Sequence, residues 1–238
     1  MRSAFATVWS ILWTVLMGSL ALLSYLFGKR YGAWVTHQWG KGVLWGCGVR
    51  AEVVGREHVG KGPYVVVANH ASLLDIPTTA AFVPVRFHFV SRPFFFKVPF
   101  MGWGMTAAGH ISIERKSARE AAKTLDEIPS RFRKGLSVVL FPEGTRSPDG
   151  NVQKYKRGPM MTALQGEVEI LPVAMAGISE CLPKGKLVPV PGRIRVTFGE
   201  PIPTKGLTQR DTKALAQRIE DWTREEATMV KSAAPANG

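Results

Sequence analysis

An α/β fold, built on a mixed and largely parallel sheet flanked by helices and preceded by a membrane-associated helical segment, is what this sequence predicts. Three observations predict it. Residues 3–28 carry no charged side chain. Short β-branched runs recur from residue 64 onward, in the manner of strands buried on both faces. Helical patterns alternate with several of those runs, the order that builds a parallel sheet covered on both sides.

The apolar stretch comes first, between Arg2 and Lys29-Arg30. Its 26 residues would reach roughly 39 Å as a helix, against about 30 Å for a bilayer core. It exceeds the apolar part of a cleaved signal peptide, about 7–15 residues, and no small-x-small site follows it. A retained anchor is expected. Residues 31–48 then set Trp34, Trp39 and Trp45 among Gln, Lys and Gly, and five of the seven tryptophans fall at or before Trp45. Indole favours the headgroup boundary, so the pair of segments reads as an interfacial helical hairpin or as a span plus an interfacial helix. The competing reading is a helix packed on the globular domain.

Strands are expected at residues 64–68, 87–90, 110–113, 137–140, 170–174 and 194–198. Ser117-x-x-Glu120 has the form of a capping box that starts a helix running to about Arg133. Thr208-x-x-Asp211 starts another that ends near Met229. The chain divides into an anchor over 1–48, an α/β domain over 49–231 and a frayed tail over 232–238.

Lys and Arg outnumber Asp and Glu by 31 to 18, so the partner is acidic: nucleic acid, anionic lipid or a phosphorylated substrate. Nucleic acid is disfavoured, because no helix-turn-helix pattern, zinc spacing or RNA-binding aromatic signature is present. Cys47 and Cys181 lie far apart without a CxxC pattern, so neither a disulfide framework nor a metal site is expected.

Chemistry concentrates at three strand ends. Asn69-His70-Ala-Ser-Leu-Leu-Asp75 follows the run 64–68, and ligands bind at such ends in open α/β sheets. A histidine and an aspartate five residues apart would lie about 140° apart on a continuous helix, so pairing them requires a turn. Across that turn the carboxylate fixes the imidazole tautomer and leaves the other nitrogen free as a base. Alternatively, Ser72-x-x-Asp75 is only a helix cap. Phe141-Pro-Glu-Gly-Thr-Arg-Ser147 follows the run 137–140. Gly144 permits close backbone approach, Thr145 and Ser147 offer hydroxyls, and Arg146 offers a planar fork for phosphate. The competing reading is a plain turn with a Glu143–Arg146 ion pair. Gly109-His-Ile-Ser-Ile-Glu-Arg115 delivers Arg115 to a third end, or leaves it in a solvated charged run. Residues 76–113 contain no acidic side chain but many aromatic ones, a surface suited to anionic lipid or a packed core.

Asn-His-x-Ser-x-x-Asp, Gly-x-Ile-x-Ile-x-Arg, Phe-Pro-Glu-Gly-Thr-Arg-Ser and Ile170-Leu-Pro-Val173, in that order, resemble the four blocks of the glycerolipid acyltransferases. Among these, the chain resembles the bacterial 1-acylglycerol-3-phosphate acyltransferases. Tyr155-Lys-Arg-Gly158 and Lys97-Val-Pro-Phe100-x-Gly102 resemble further family segments. Ser-Ile-Glu-Arg stands where Phe-Ile-Asp-Arg is commoner, and Pro159 stands where a small residue is usual.

The resemblance implies His70 as general base, Asp75 as its partner, and Arg115, Glu143, Gly144, Thr145 and Arg146 around the acceptor. It implies transfer from acyl-CoA or acyl-carrier protein to lysophosphatidic acid, without metal or organic cofactor. It also implies membrane lipids as partners and a bacterial inner membrane location with the catalytic domain facing the cytoplasm. Lyso-ornithine lipid, another lysophospholipid or glycerol 3-phosphate are alternative acceptors, and an inactive membrane scaffold is the alternative outside catalysis.

Overall fold

The computed structural model describes residues 2–27, 29–113 and 128–233. Helices α1 (Arg2–Phe27) and α2 (Lys29–Gly46) lie antiparallel as a hairpin. The pairing is written in its tryptophans. Trp9 Nε1 donates to the Gly42 carbonyl at 2.8 Å, Trp13 Nε1 to the Gln38 carbonyl at 3.2 Å, and Trp39 Nε1 to Thr14 Oγ1 at 3.0 Å. Gly42 and Gly46 leave the space that the Trp13 and Trp9 rings occupy; a Cβ on either would collide with the indole. Three of the five early tryptophans therefore bond within the hairpin, and Trp34 and Trp45 remain exposed.

Helix α1 also packs on α5 (Met101–Ala107), which follows the short α4 (Pro93–Phe96), and α2 packs on α3 (Asp75–Phe82). Phe5, Val8, Ile11, Leu12 and Leu16 stay exposed on α1 at helical spacing, an apolar stripe whose Phe5 end reaches Trp45 of α2. The hairpin is thus docked on the globular domain along one face and apolar along the other. The expected hairpin is present, and it packs on the globular domain as the competing reading has it.

The strands are β1 (Val49–Val54), β2 (Tyr64–Ala68), β3 (Phe87–Ser91), β4 (Ile111–Ser112), β5 (Ser137–Leu140), β6 (Glu169–Ala176) and β7 (Gly192–Phe198). Among the described residues they form one sheet in the order β1-β7-β6-β2-β5-β3-β4. Neighbours are parallel except β6 and β7, so β1 and β7 run against the other five. The six expected strands are present, with β4 shortened to two residues. β1 was not expected. Its Arg50 and Glu52 point outward on an edge strand whose burial alternates, which breaks the continuous apolar run that identifies a buried strand.

Side chains alternate between two cores. Val66 and Ala68 of β2 pack with Leu44 of α2 and Ala80 of α3. Val65 and Val67 pack with Phe132 of α6 (Pro129–Phe132), Met160 of α7 (Gly158–Gln165) and Ile219 of α9 (Thr212–Ala233). The helix expected over 117–133 falls mostly outside the described residues, and only its end at α6 is seen. α9 begins at Thr212, not Thr208. Asp211 Oδ2 accepts the Thr208 amide at 2.7 Å and its hydroxyl at 2.8 Å, closing a turn ahead of the helix.

Candidate active site

β2 lies between β5 and β6, with Val67 opposite Leu140 on one side and Pro172 on the other. Parallel strands in register release their chains at the same sheet edge. The segments after β2 and β5 therefore meet, although about seventy residues of sequence separate them. The Ser147 amide donates to the His70 carbonyl at 2.7 Å and ties the two segments together.

The turn required between His70 and Asp75 is present. His70 Nδ1 lies 2.7 Å from Asp75 Oδ2, and that oxygen also accepts the amides of Ala71 at 2.6 Å and Ser72 at 2.8 Å. Asp75 stands at the first position of α3 and is fully buried. One carboxylate oxygen thus closes the turn ahead of the helix and orients the imidazole; the pair is present, whereas α3 has Leu74 at its N-cap and no side-chain cap. An acceptor already holding two N–H groups takes a third from Nδ1–H, which leaves the lone pair of His70 on Nε2. Phe141 stacks on the ring at 4.4 Å between centroids and 24° between planes. The His70 side chain keeps 18% exposure, enough for a substrate to reach.

Glu143 is buried and turned inward, with Oε1 accepting the His70 amide at 2.8 Å. The ion pair with Arg146 is absent among the described residues. Burial pushes the Glu143 carboxyl up to about 8, the amide of His70 opposes that shift, and nearby Asp75 adds to it. Glu143 is therefore neutral near pH 7. Gly144 adopts φ 76°, the left-handed region in which a Cβ is strained, and the turn there brings Thr145 and Arg146 out toward solvent. Arg146 is half-buried, and among the described residues no carboxylate pairs with it. Arg115 lies outside the described residues.

Four residues without an assigned role in the sequence reading support this edge. Asn69 exchanges two hydrogen bonds with the Met175 backbone, at 2.9 and 2.8 Å, and joins β2 to β6 past the end of their ladder. Ser72 Oγ donates to the Leu182 carbonyl at 2.7 Å, and Lys184 Nζ to the Arg146 carbonyl at 2.6 Å. Phe141 covers His70. Asn69, Ser72 and Phe141 stood inside the motifs; Lys184 gave no signal, since its partner lies in another segment. Cys47 and Cys181 are buried free thiols whose pKa is raised by burial, Cys181 to about 11, so neither is activated for attack.

The family model described as Acyltransferase matches residues 50–176. A 1-acyl-sn-glycerol-3-phosphate acyltransferase of Pseudomonas aeruginosa is 30% identical over 84% of this chain and 78% of its own length. A Chlamydomonas reinhardtii protein of the same name is 33% identical over 67% of this chain and 50% of its own length. The chain spans about half to two thirds of the length of several curated relatives. The crystal structure of the 1-acyl-sn-glycerophosphate (LPA) acyltransferase from Thermotoga maritima superposes with a TM-score of 0.85 at 26% identity, covering 100% of both chains.

Proposed function

Because this chain belongs to the acyltransferase family, we propose that it moves a fatty acyl group from acyl-CoA or acyl-carrier protein to the sn-2 hydroxyl of 1-acyl-glycerol-3-phosphate, giving phosphatidic acid. The observation that carries this reading is the single oxygen of Asp75 that holds His70 Nδ1 and two backbone amides at the edge of the sheet. The names of the relatives support the acceptor.

His70 Nε2 takes the proton of the acceptor hydroxyl as its oxygen bonds to the thioester carbonyl carbon. The carbon–sulfur bond then breaks, and the departing thiolate recovers the proton from the imidazolium. Asp75 stabilises that imidazolium and keeps Nδ1 protonated throughout. General-base help contributes typically about 10²–10⁴-fold, so positioning must supply much of the remainder. Arg146 and Arg115 hold the acceptor phosphate, and Gly144 and Thr145 shape the turn beside it. Glu143, neutral and inward, fixes the His70 backbone without placing a negative charge beside that phosphate.

The apolar stripe on α1 inserts into one leaflet of a bacterial inner membrane, and the basic surface faces anionic headgroups. The soluble thioester donors place the catalytic edge on the cytoplasmic side. The test is an assay of vesicle-bound protein with labelled acyl-CoA or acyl-carrier protein and a panel of acceptors: lysophosphatidic acid, lyso-ornithine lipid, other lysophospholipids and glycerol 3-phosphate. Preferential labelling of lysophosphatidic acid is expected. Transfer only to a phosphate-free acceptor would overturn the phosphate site.

A further inference from the structure

We propose that residues 182–191, which connect α8 (Ile178–Cys181) to β7, form a second lipid-contacting element that rims the route from the bilayer to His70. This rests on the membrane attachment proposed above. Leu187 is 78% exposed, Val188 49% and Val190 50%, a cluster of large apolar side chains on a short connection. Single exposed apolar residues are ordinary, whereas a contiguous group marks a contact surface.

The loop adjoins the end of the hairpin. β1 pairs with β7 with Val49 opposite Gly192. At that junction Pro191 lies against Gly48, where an added Cβ would come within 3.0 Å of it. Gly48 lies two residues beyond α2, whose Trp45 is 65% exposed and packs on Trp9 and Phe5 at centroid distances of 4.8 and 6.5 Å. The other end of the loop touches the site. The Leu182 carbonyl accepts Ser72 Oγ at 2.7 Å, and Lys184 Nζ donates to the Arg146 carbonyl at 2.6 Å. The Val190 amide closes the base of the loop on the Cys181 carbonyl at 2.8 Å.

Charge selects the occupant. Between Glu180 and Glu200 no acidic residue occurs, and Lys184, Lys186 and Arg193 do, while Arg195 is paired with Glu52 at 3.0 Å. Apolar side chains among basic ones suit the headgroup region of an anionic bilayer. Through Pro191 and Gly48 the loop also adjoins the hairpin whose stripe enters the leaflet. The loop therefore joins the lipid surface to the backbone of the acceptor turn, so that an acceptor whose chain stays in the leaflet has its phosphate beside Arg146.

The two native thiols are buried, so a single introduced cysteine can carry an environment-sensitive dye. Val8→Cys reports the α1 stripe and Leu187→Cys the loop. Lys205→Cys is the control, just beyond the Ile170–Ile202 bridge at the opposite sheet edge. The full chain is mixed with phosphatidylcholine–phosphatidylglycerol vesicles. Blue shifts and quenching by shallow spin-labelled lipid are expected at 8 and 187 and not at 205. A shift at 8 without one at 187 overturns the loop proposal and leaves the attachment standing. No shift at either overturns both. A shift at 187 caused by acyl-carrier protein alone, or by raising protein concentration without vesicles, makes the loop a protein contact and overturns the lipid assignment. As a second measurement, Leu187→Asp with Val188→Asp should weaken vesicle partitioning about tenfold or more, since both apolar contacts with the leaflet are lost. Unchanged partitioning also overturns the proposal.

Discussion

The amide of His70 donates to Oε1 of Glu143 at 2.8 Å, and their separation of 73 positions equals the offset that sets Val67 opposite Leu140 in the β2–β5 register. The strand pairing is carried two or three residues past its last rung, with a carboxylate in place of a backbone carbonyl. The histidine is held on both sides: Asp75 fixes the ring and Glu143 fixes the backbone.

Replacing His70 by Ala is expected to lower turnover by about 10²–10⁴-fold, the usual share of a general base. Asp75→Ala should cost similarly, and it should also destabilise the turn ahead of α3, because the Ala71 and Ser72 amides lose their acceptor. Vesicle attachment should survive in both. Near wild-type turnover in His70→Ala would sink the mechanism.

For Arg146→Lys, the acceptor KM should rise while the donor KM moves less, because a point charge cannot reproduce the planar fork. Arg115→Lys should behave alike. Steady-state kinetics with each substrate varied in turn decides. A raised acyl-CoA KM with an unchanged acceptor KM would move both residues to the donor pocket.

Glu143 makes stability fall as pH rises. Its carboxyl is raised from the ordinary 4.5 to about 8, so between those values the folded chain keeps a proton that the unfolded chain releases. The contribution is fully present below about 4.5 and lost as pH rises through about 8, at up to about 1.4 kcal/mol per pH unit. Glu143→Gln retains an oxygen for the His70 amide and removes the titration. Its melting temperature relative to wild type should climb between pH 5 and 8 and level off above. A constant difference across that range would mean that Glu143 is ionised in the fold.

Gly42→Val tests the docking of the hairpin. The added side chain collides with the Trp13 indole, and overpacking of this kind costs about 1–3 kcal/mol. Denaturant unfolding should show the loss, and Trp13 fluorescence should shift as the ring leaves its slot. A variant as stable as the parent would mean that α1 does not rest on α2.

The sheet was legible because β2, β5 and β6 are buried on both faces and read as unbroken apolar runs. β1 escaped because Arg50 and Glu52 interrupt its run. The meeting of His70 and Asp75 was legible, since both sit within one short turn whose geometry local spacing constrains. The inward direction of Glu143 was not. An acidic residue in a motif reads as solvent-facing until burial is seen, and burial here depends on strands distant in sequence. Nor was the bonding of Trp9, Trp13 and Trp39, because composition gives the number of indoles without their partners. The approach of Lys184 to Arg146 depends on the return of β7 beside β6, and no local pattern announces it.

Only Cys47 and Gly48 separate α2 from β1. Two residues span at most about 7 Å, and here they are coiled in a hydrogen-bonded turn that shortens that reach further. With α2 also seated on α3, the joint has no slack for a swivel. The hairpin and the sheet tumble as one body, so spin labels on α2 and on β2 should report a single rotational correlation time. A lever of this stiffness passes any tilt of the hairpin directly to His70.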